Sequence, residues 1–293
     1  MTEQSGKTAL PPEKARIRRE RTREMCDVGG AGRKDGRMKV LILAGGYGTR
    51  ISEESQYKPK PMIEIGGKPI LWHIMKYYSS FGYRDFIILG GYKQYVIKEF
   101  FADYFLHNSD VSFNLETNEM KVLDGHSENW TVTIVDTGLD TMTGGRVKRV
   151  KKYVGDETFM LTYGDGVSNV DLDALLAFHR SHGRIATDTM IRFAQQKGVI
   201  DCAPDGRVRQ FREKNRRDGD LINGGFMVFE PAIFDYLDGD SCVLEQEPMQ
   251  RLADEGQLMG YLHEGFWQCM DTQREKKKLE ALWASGNAPW KRW

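Results

Sequence analysis

Four short segments carry the residues best suited to chemistry. The first, Leu43-Ala44-Gly45-Gly46-Tyr47-Gly48-Thr49-Arg50, follows an apolar run and is rich in glycine. Glycines tolerate positive φ and let a ligand approach the backbone, and successive N–H groups in such a turn form a nest for phosphates. Arg50 adds a planar, permanently charged fork matched to phosphate oxygens. The spacing is not the GxGxxG of a dinucleotide-binding fold, because Arg50 stands at the last glycine. Nor is it a Walker loop, which needs GK followed by Ser or Thr. In the second segment, Lys58-Pro59-Lys60-Pro61-Met62, prolines on both sides of Lys60 favour extended backbone and hold its ammonium on a stiffened stretch. A stiffened ammonium suits charge developing on a transferring phosphorus centre. The third, Tyr163-Gly164-Asp165-Gly166, sets Asp165 just after an apolar run, where a carboxylate can hold magnesium beside a triphosphate. The fourth, Phe266-Trp267-Gln268-Cys269-Met270-Asp271-Thr272, offers a second acid. Asp271 equally suits the N-terminal turn of the helix expected after it.

The elements that must position these segments are readable from hydrophobic pattern. Lys39–Ala44 is a continuous apolar run, as a buried parallel strand requires, and residues 85–89, 132–135 and 159–162 read the same way. Helical spacing of apolar positions covers residues 70–81, 93–105 and 171–182, with a strand at 185–191. Strands alternating with helices imply βαβ units and an α/β fold with a doubly wound, mostly parallel sheet that is mixed and Rossmann-like. Small β additions are expected after residue 198: a hairpin of 198–202 with 207–211 about the turn Ala203–Gly206, and one strand over 222–229. Pro231 opens a short helix, and residues 247–255 and 272–284 read as helices around a strand at 258–262.

The chain has 293 residues, 40% of them hydrophobic, with a formal net charge of zero. This charge balance excludes a general nucleic-acid binder, and no apolar run approaches the length of a membrane span. Cys26, Cys202, Cys242 and Cys269 show no CxxC or zinc spacing and read as reduced thiols, consistent with a cytoplasmic protein. His179 and His182, three apart, read as helix-surface residues without a third ligand. Residues 1–37 contain the charged run KARIRRERTR and several glycines and read as a disordered extension. The folded domain is expected over 38–293.

Taken together, LILAGGYGTR, KPKPM and EIGGKPI (residues 64–70) resemble the nucleotidyltransferases that activate sugar phosphates. Thr141-Met142-Thr143-Gly144-Gly145-Arg146 narrows the resemblance to glucose-1-phosphate cytidylyltransferases, as do KPILWHIMKYYS, GYKQYVIKEFFADYFLHNSDV, EQEPM and the terminal APWKRW. The resemblance spans residues 38–293. It implies transfer of a cytidylyl group from CTP to glucose 1-phosphate, with Mg2+ as cofactor, CDP-glucose and pyrophosphate as products, and a homo-oligomer as the assembly. It assigns Lys60 and Arg50 to catalysis. Leu43, Ala44, Gly45, Gly46, Gly48, Thr49, Arg50, Lys60, Gly164 and Asp165 fall to the nucleotide, with Thr141, Thr143 and Arg146 contacting the cytidine nucleotide. Asp165 and Asp271 together take the metal. Gly198, Glu213, Lys214, Asn223, Gly224 and Gly225 take the sugar phosphate. Taken from the residues alone, Glu213 and Lys214 also suit a surface ion pair, and the glycines a β-bulge. Two departures from the family pattern fall in the sugar half: Asn215 replaces a proline after Glu213-Lys214, and Lys197 replaces an aromatic before Gly198. The competing readings are the same chemistry with dTTP or UTP or another hexose 1-phosphate, and a catalytically silent sugar-nucleotide-binding subunit.

Overall fold

A computed structural model describes residues 38–125, 127–193, 199–202, 207–212 and 220–293 of the chain. The expected extension 1–37 and the anticipated sugar-phosphate residues Gly198, Glu213 and Lys214 lie outside the described residues. The central sheet has eight strands: β1 (Lys39–Ala44), β2 (Asp85–Gly90), β3 (Thr131–Asp136), β4 (Phe159–Tyr163), β5 (Ala186–Phe193), β6 (Asp220–Asn223), β7 (Met227–Phe229) and β8 (Leu258–His263). Their order is β3–β2–β1–β4–β7–β5–β8, with β6 also lying along β5. β1 runs parallel to both β2 and β4, and β2 to β3, whereas β7 is antiparallel to β4 and to β5. The anticipated mixed, mostly parallel sheet is therefore present. From β1 the chain winds outward to β2 and β3, then returns to β4 on the other side of β1. That reversal opens a crevice at the carboxyl ends of β1 and β4, where open α/β sheets bind ligands.

Both faces of the sheet are covered at its centre, which is why β1, β2 and β4 are nearly continuous buried apolar runs. Val40, Ile42 and Ala44 of β1 join one core with α1 (Ile70–Ser80), and Leu41 and Leu43 join the other. The remaining principal helices are α2 (Gln94–Ala102), α3 (Thr143–Arg149), α4 (Leu172–His182), α5 (Glu247–Asp254) and α6 (Gln273–Ala284). The side chain of Asp171 caps α4 by accepting from the Ala174 N–H, and α4 ends at Gly183 with φ 62°. His179 is buried, bonded to Thr187 and Glu230, so it is a core residue of α4 and not the surface residue expected.

Three other expectations change. The helix anticipated over 93–105 stops at Ala102. The Asp103 N–H closes on the Glu99 and Phe101 carbonyls, and a separate turn covers Tyr104–His107. The strand anticipated over 222–229 is interrupted at residues 224–226, where Gly225 (φ 72°) and Phe226 (φ 49°) adopt left-handed backbone. Met190 of β5 faces Asn223 while Thr187 faces Val228, so the interrupted strand bulges. A hairpin of Ser109–Asn114 with Glu119–Gly125 also stands in a stretch where no element was expected. The anticipated hairpin near residue 200 is present, as Val199–Cys202 paired with Val208–Arg212.

The C-terminal residues close the first core. Trp290 is fully buried, and its Nε1–H donates to Nδ1 of His73 at 3.3 Å. His73 Nε2 lies 2.8 Å from the Ile65 carbonyl, so this nitrogen carries the proton and Nδ1 is left to accept. Desolvation pushes the His73 pKa down to about 4, keeping the ring neutral. Trp290→Ala should therefore destabilise the fold by about 3–5 kcal/mol. Urea unfolding followed by far-UV circular dichroism reads this directly, and an unchanged midpoint would mean that the tail is dispensable.

Candidate active site

The glycine segment leaves the end of β1, turns at Gly48 (φ 67°) and enters a short 3-10 turn at Thr49–Ile51. The Ile51 N–H and the Ser55 hydroxyl both donate to the Gly48 carbonyl, at 3.1 and 2.9 Å, which fixes the loop. The proline-flanked lysine is held differently from the expectation. Pro59 is extended, but Lys60–Met62 forms a 3-10 turn closed by Met62 N–H to the Pro59 carbonyl at 2.8 Å and Ile63 N–H to the Lys60 carbonyl at 3.1 Å. The segment is as stiff as anticipated, because the turn adds hydrogen bonds to the fixed φ of the prolines.

Two segments far apart in sequence carry the acids. Asp165 follows β4, and the adjoining Gly166–Ser168 pairs antiparallel with Trp267–Cys269. The Met270 N–H then donates to the Asp165 carbonyl at 2.9 Å, fastening one acid segment to the other. Thr272, not Asp271, caps α6. It accepts from the Glu275 N–H, while the Glu275 carboxylate accepts from the N–H groups of Asp271 and Thr272 at 2.8 and 2.9 Å. The Asp271 side chain is thereby free to face inward.

There the segments converge. The Lys60 ammonium donates to Asp165 Oδ2 and to Asp271 Oδ1, and Arg50 Nη1 donates to Asp271 Oδ2 at 2.8 Å. Lys60 is buried, and desolvation works against its charge. The two carboxylates outweigh that burial and raise its pKa. Burial likewise disfavours ionised Asp271, but hydrogen bonding and charge from Lys60, with the charge of Arg50, hold its carboxyl below the usual range. The Cys269 thiol, desolvated and close to Asp271 and Glu275, is pushed up to about 12 and stays protonated.

The anticipated residues 43–46, 48–50, Lys60, Thr141, Thr143, Arg146, Gly164 and Asp165 all line one cavity of about 540 Å³, a size suited to a nucleotide. Asp271 reaches its edge through Lys60. Arg146 lines this cavity but is itself buried. Its guanidinium donates to the Thr137 hydroxyl and Gly138 carbonyl, both at 2.7 Å, to Leu139 at 3.1 Å, to Gly45 at 3.2 Å and to Gly90 at 3.3 Å. Desolvation, with the charge of Arg149, lowers its pKa. A Cβ at Gly45 would lie 2.2 Å from this guanidinium, so glycine is required there for close approach. Arg146 thus ties the glycine loop to the loop after β3.

Asn223, Gly224 and Gly225 adjoin the cavity through a chain of side chains. Gly225 N–H donates to Asn223 Oδ1 at 2.7 Å, Asn223 Nδ2 to the Tyr163 hydroxyl at 3.0 Å, and that hydroxyl to Glu245 Oε1 at 2.8 Å. Thr143 donates to Glu245 Oε2 at 2.5 Å. The nucleotide and sugar halves anticipated from sequence are therefore connected through Tyr163 and Glu245, to which sequence reasoning gave no role. Both stand beside recognised motifs, Tyr163 before Gly164-Asp165 and Glu245 at the head of EQEPM, and that adjacency was the available signal. Asp188 is an acid inside β5 that no sequence motif marks. Its Oδ1 is buried and, among the described residues, has no hydrogen-bond partner. Desolvation, with the charge of Glu245, pushes its pKa up to about 8.

Two carboxylates meeting at one cation are a donor set that fits a hard divalent metal, and the Lys60 ammonium stands in for that cation here. Residues 39–272 match the model of the nucleotidyl transferase family, and the chain belongs to that family. Its members generally use a divalent metal. The chain is 56% identical over 257 residues to the glucose-1-phosphate cytidylyltransferase of Salmonella typhimurium, a match covering 87% of this chain and 100% of that one. It is 45% identical over 257 residues to the probable glucose-1-phosphate cytidylyltransferase of Bacillus subtilis, with the same coverage of 87% and 100%. The crystal structure of HddC from Yersinia pseudotuberculosis superposes with a TM-score of 0.61 at 21% identity, covering 84% of this chain and 99% of that one, and shows the shared fold.

The raised pKa of Asp188 makes stability depend on pH. The folded state keeps a proton that the unfolded chain releases above the usual carboxylate range. Its contribution is therefore complete at about pH 4 and is lost as pH rises towards 8. Asp188→Asn should be more stable than wild type at pH 8 by at least about 1 kcal/mol, and no more stable at pH 4. Thermal unfolding at the two pH values checks it. A difference independent of pH would mean that Asp188 is ionised in the folded protein.

Proposed function

We propose that the protein transfers the cytidylyl group of CTP to α-D-glucose 1-phosphate, giving CDP-glucose and pyrophosphate for the biosynthesis of deoxysugars and polysaccharides such as lipopolysaccharide. The carrying observation is the meeting of Lys60, Asp165 and Asp271 at the mouth of a nucleotide-sized cavity. The identity to cytidylyltransferases over their whole length supports the choice of nucleotide and sugar.

In this reading an oxygen of the sugar phosphate attacks the α-phosphorus in line, and pyrophosphate leaves from the opposite side. The attacking phosphate is already ionised, so no general base is needed, and catalysis is positioning plus charge neutralisation. The glycine loop lays its N–H groups along the phosphates. Lys60 turns its ammonium to the α-phosphate, and Arg50 takes the outer phosphates. Asp165 and Asp271 would hold magnesium, which neutralises triphosphate charge. Arg146 keeps the loop and the base-binding segment together. Asn223 and the backbone at Gly224 and Gly225 bound the sugar side, with Gly198, Glu213 and Lys214 assigned to the sugar phosphate by resemblance.

A soluble cytoplasmic homo-oligomer completes the proposal. Among the described residues no helix is long and apolar enough to cross a membrane. Tyr95, Phe105, Phe113, Leu115, Met120 and Leu123 are exposed large apolar side chains, four of them on or at the turn of the hairpin of residues 109–125. Such a patch suits association of copies. Light scattering after gel filtration should give a multiple of the chain mass, reduced to the monomer by Phe113→Glu with Leu115→Glu. A monomeric wild type removes this part of the proposal.

One assay panel tests the reaction: four nucleoside triphosphates against several hexose 1-phosphates, read as pyrophosphate release. CTP with glucose 1-phosphate should be preferred at least tenfold. Lys60→Met should lower turnover of that pair by about 10²- to 10³-fold, as removal of one transition-state electrostatic contact does. Equal rates with dTTP or UTP would overturn the nucleotide choice, and no pyrophosphate from any pair would overturn catalysis.

A further inference from the structure

We propose that Lys60 is the resident counter-cation of the Asp165–Asp271 pair, and that it leaves this place only when nucleotide phosphates offer it another anion. Metal and nucleotide then depend on each other, and neither binds well alone. The inference rests on the reading of Lys60, Asp165 and Asp271 given above and adds the order in which they change partners.

The geometry points to this exchange. Lys60 spans the two carboxylates, one oxygen of each, while the second Asp271 oxygen is taken by Arg50. The Lys60 side chain is only 11% exposed, against 28% for Asp165 and 19% for Asp271. A buried ammonium without an anion is costly, and so are two facing carboxylates without a cation. Among the described residues, the acceptors of the Lys60 ammonium are these two carboxylates. Glu275, the nearest other carboxylate beside Asp271, is occupied by the N-terminus of α6. The cavity offers a direction from which an anion can arrive, because Lys60 lines it beside the glycine loop. Its flexible four-carbon stem allows the swing.

Two consequences follow by linkage. A divalent cation entering alone must evict Lys60 from both carboxylates that neutralise it. A nucleotide entering alone can draw Lys60 away only by leaving two carboxylates unneutralised. Each ligand therefore raises the affinity for the other by the same factor.

The test uses the full chain and Mn2+ without nucleotide, with free Mn2+ read by electron paramagnetic resonance. Lys60→Met should bind Mn2+ at least about fivefold more tightly than wild type, the lower end of ordinary coupling between sites. Lys58→Met, which removes an equal charge from the same segment but from a pair with Glu64, should change Mn2+ affinity by less than about twofold. Lys60→Gln repeats the test if the methionine variant does not fold. Mn2+ affinity in Lys60→Met equal to or weaker than wild type overturns the inference, as does an equal gain in Lys58→Met. The underlying metal assignment is tested separately by Asp165→Asn and Asp271→Asn with CTP present. If neither weakens Mn2+ binding, that assignment fails whatever Lys60 does.

Discussion

Like charges held a few ångströms apart must be neutralised, and here that constraint falls on Asp165 and Asp271. Both carboxylates reach one point, which the Lys60 ammonium occupies. Most of the architecture near the crevice serves to keep three distant segments meeting there. The strand order returns β4 beside β1, so that Asp165 and the glycine loop emerge side by side. The Gly166–Ser168 ladder with Trp267–Cys269 carries Asp271 to the same place, and the capping of α6 by Thr272 and Glu275 leaves the Asp271 side chain free to turn inward. The 3-10 turn at Lys60–Met62 supplies the cation from the opposite side.

The segments that do this were legible because their chemistry is local. A buried parallel strand reads as a continuous apolar run, so β1, β2, β3 and β4 were each visible within a residue or two. The glycine loop, Lys60 between prolines and the acids after strand ends likewise announce themselves by residue type. Elements whose reasons lie elsewhere in the fold were harder to read. Gly144 and Gly145 are poor helix formers, yet they open α3 because residues 239–242 press closely against them. The hairpin of residues 109–125 buries little, so its alternation of apolar and polar residues is weak. The β-bulge that Gly224 and Gly225 suit is present, but its dependence on Phe226 accepting left-handed backbone while stacking on Tyr78 at 5.8 Å is not encoded locally.

Arg146 shows the same distinction at the level of one side chain. Its resemblance to a nucleotide contact rests on its motif, but the structure commits its guanidinium to the protein, with backbone carbonyls from both loops and one hydroxyl as acceptors. Its buried position in the cavity wall makes it a fastener for the loops around the cavity. Tyr163 and Glu245 extend that fastening by joining Thr143 to Asn223. The Lys60–Asp165–Asp271 end of the site is consequently held by charge, and the Tyr163–Asn223 end by a hydrogen-bonded framework.

The central claim is that the two aspartates share one cation site, held by Lys60 until the phosphates arrive. A crystal structure of the chain with CTP and Mn2+, phased near the manganese edge, tests it most directly. An anomalous peak is expected between Asp165 and Asp271, with the Lys60 ammonium moved onto the α-phosphate. A peak elsewhere, or Lys60 still bound to both carboxylates with CTP in the cavity, would contradict it.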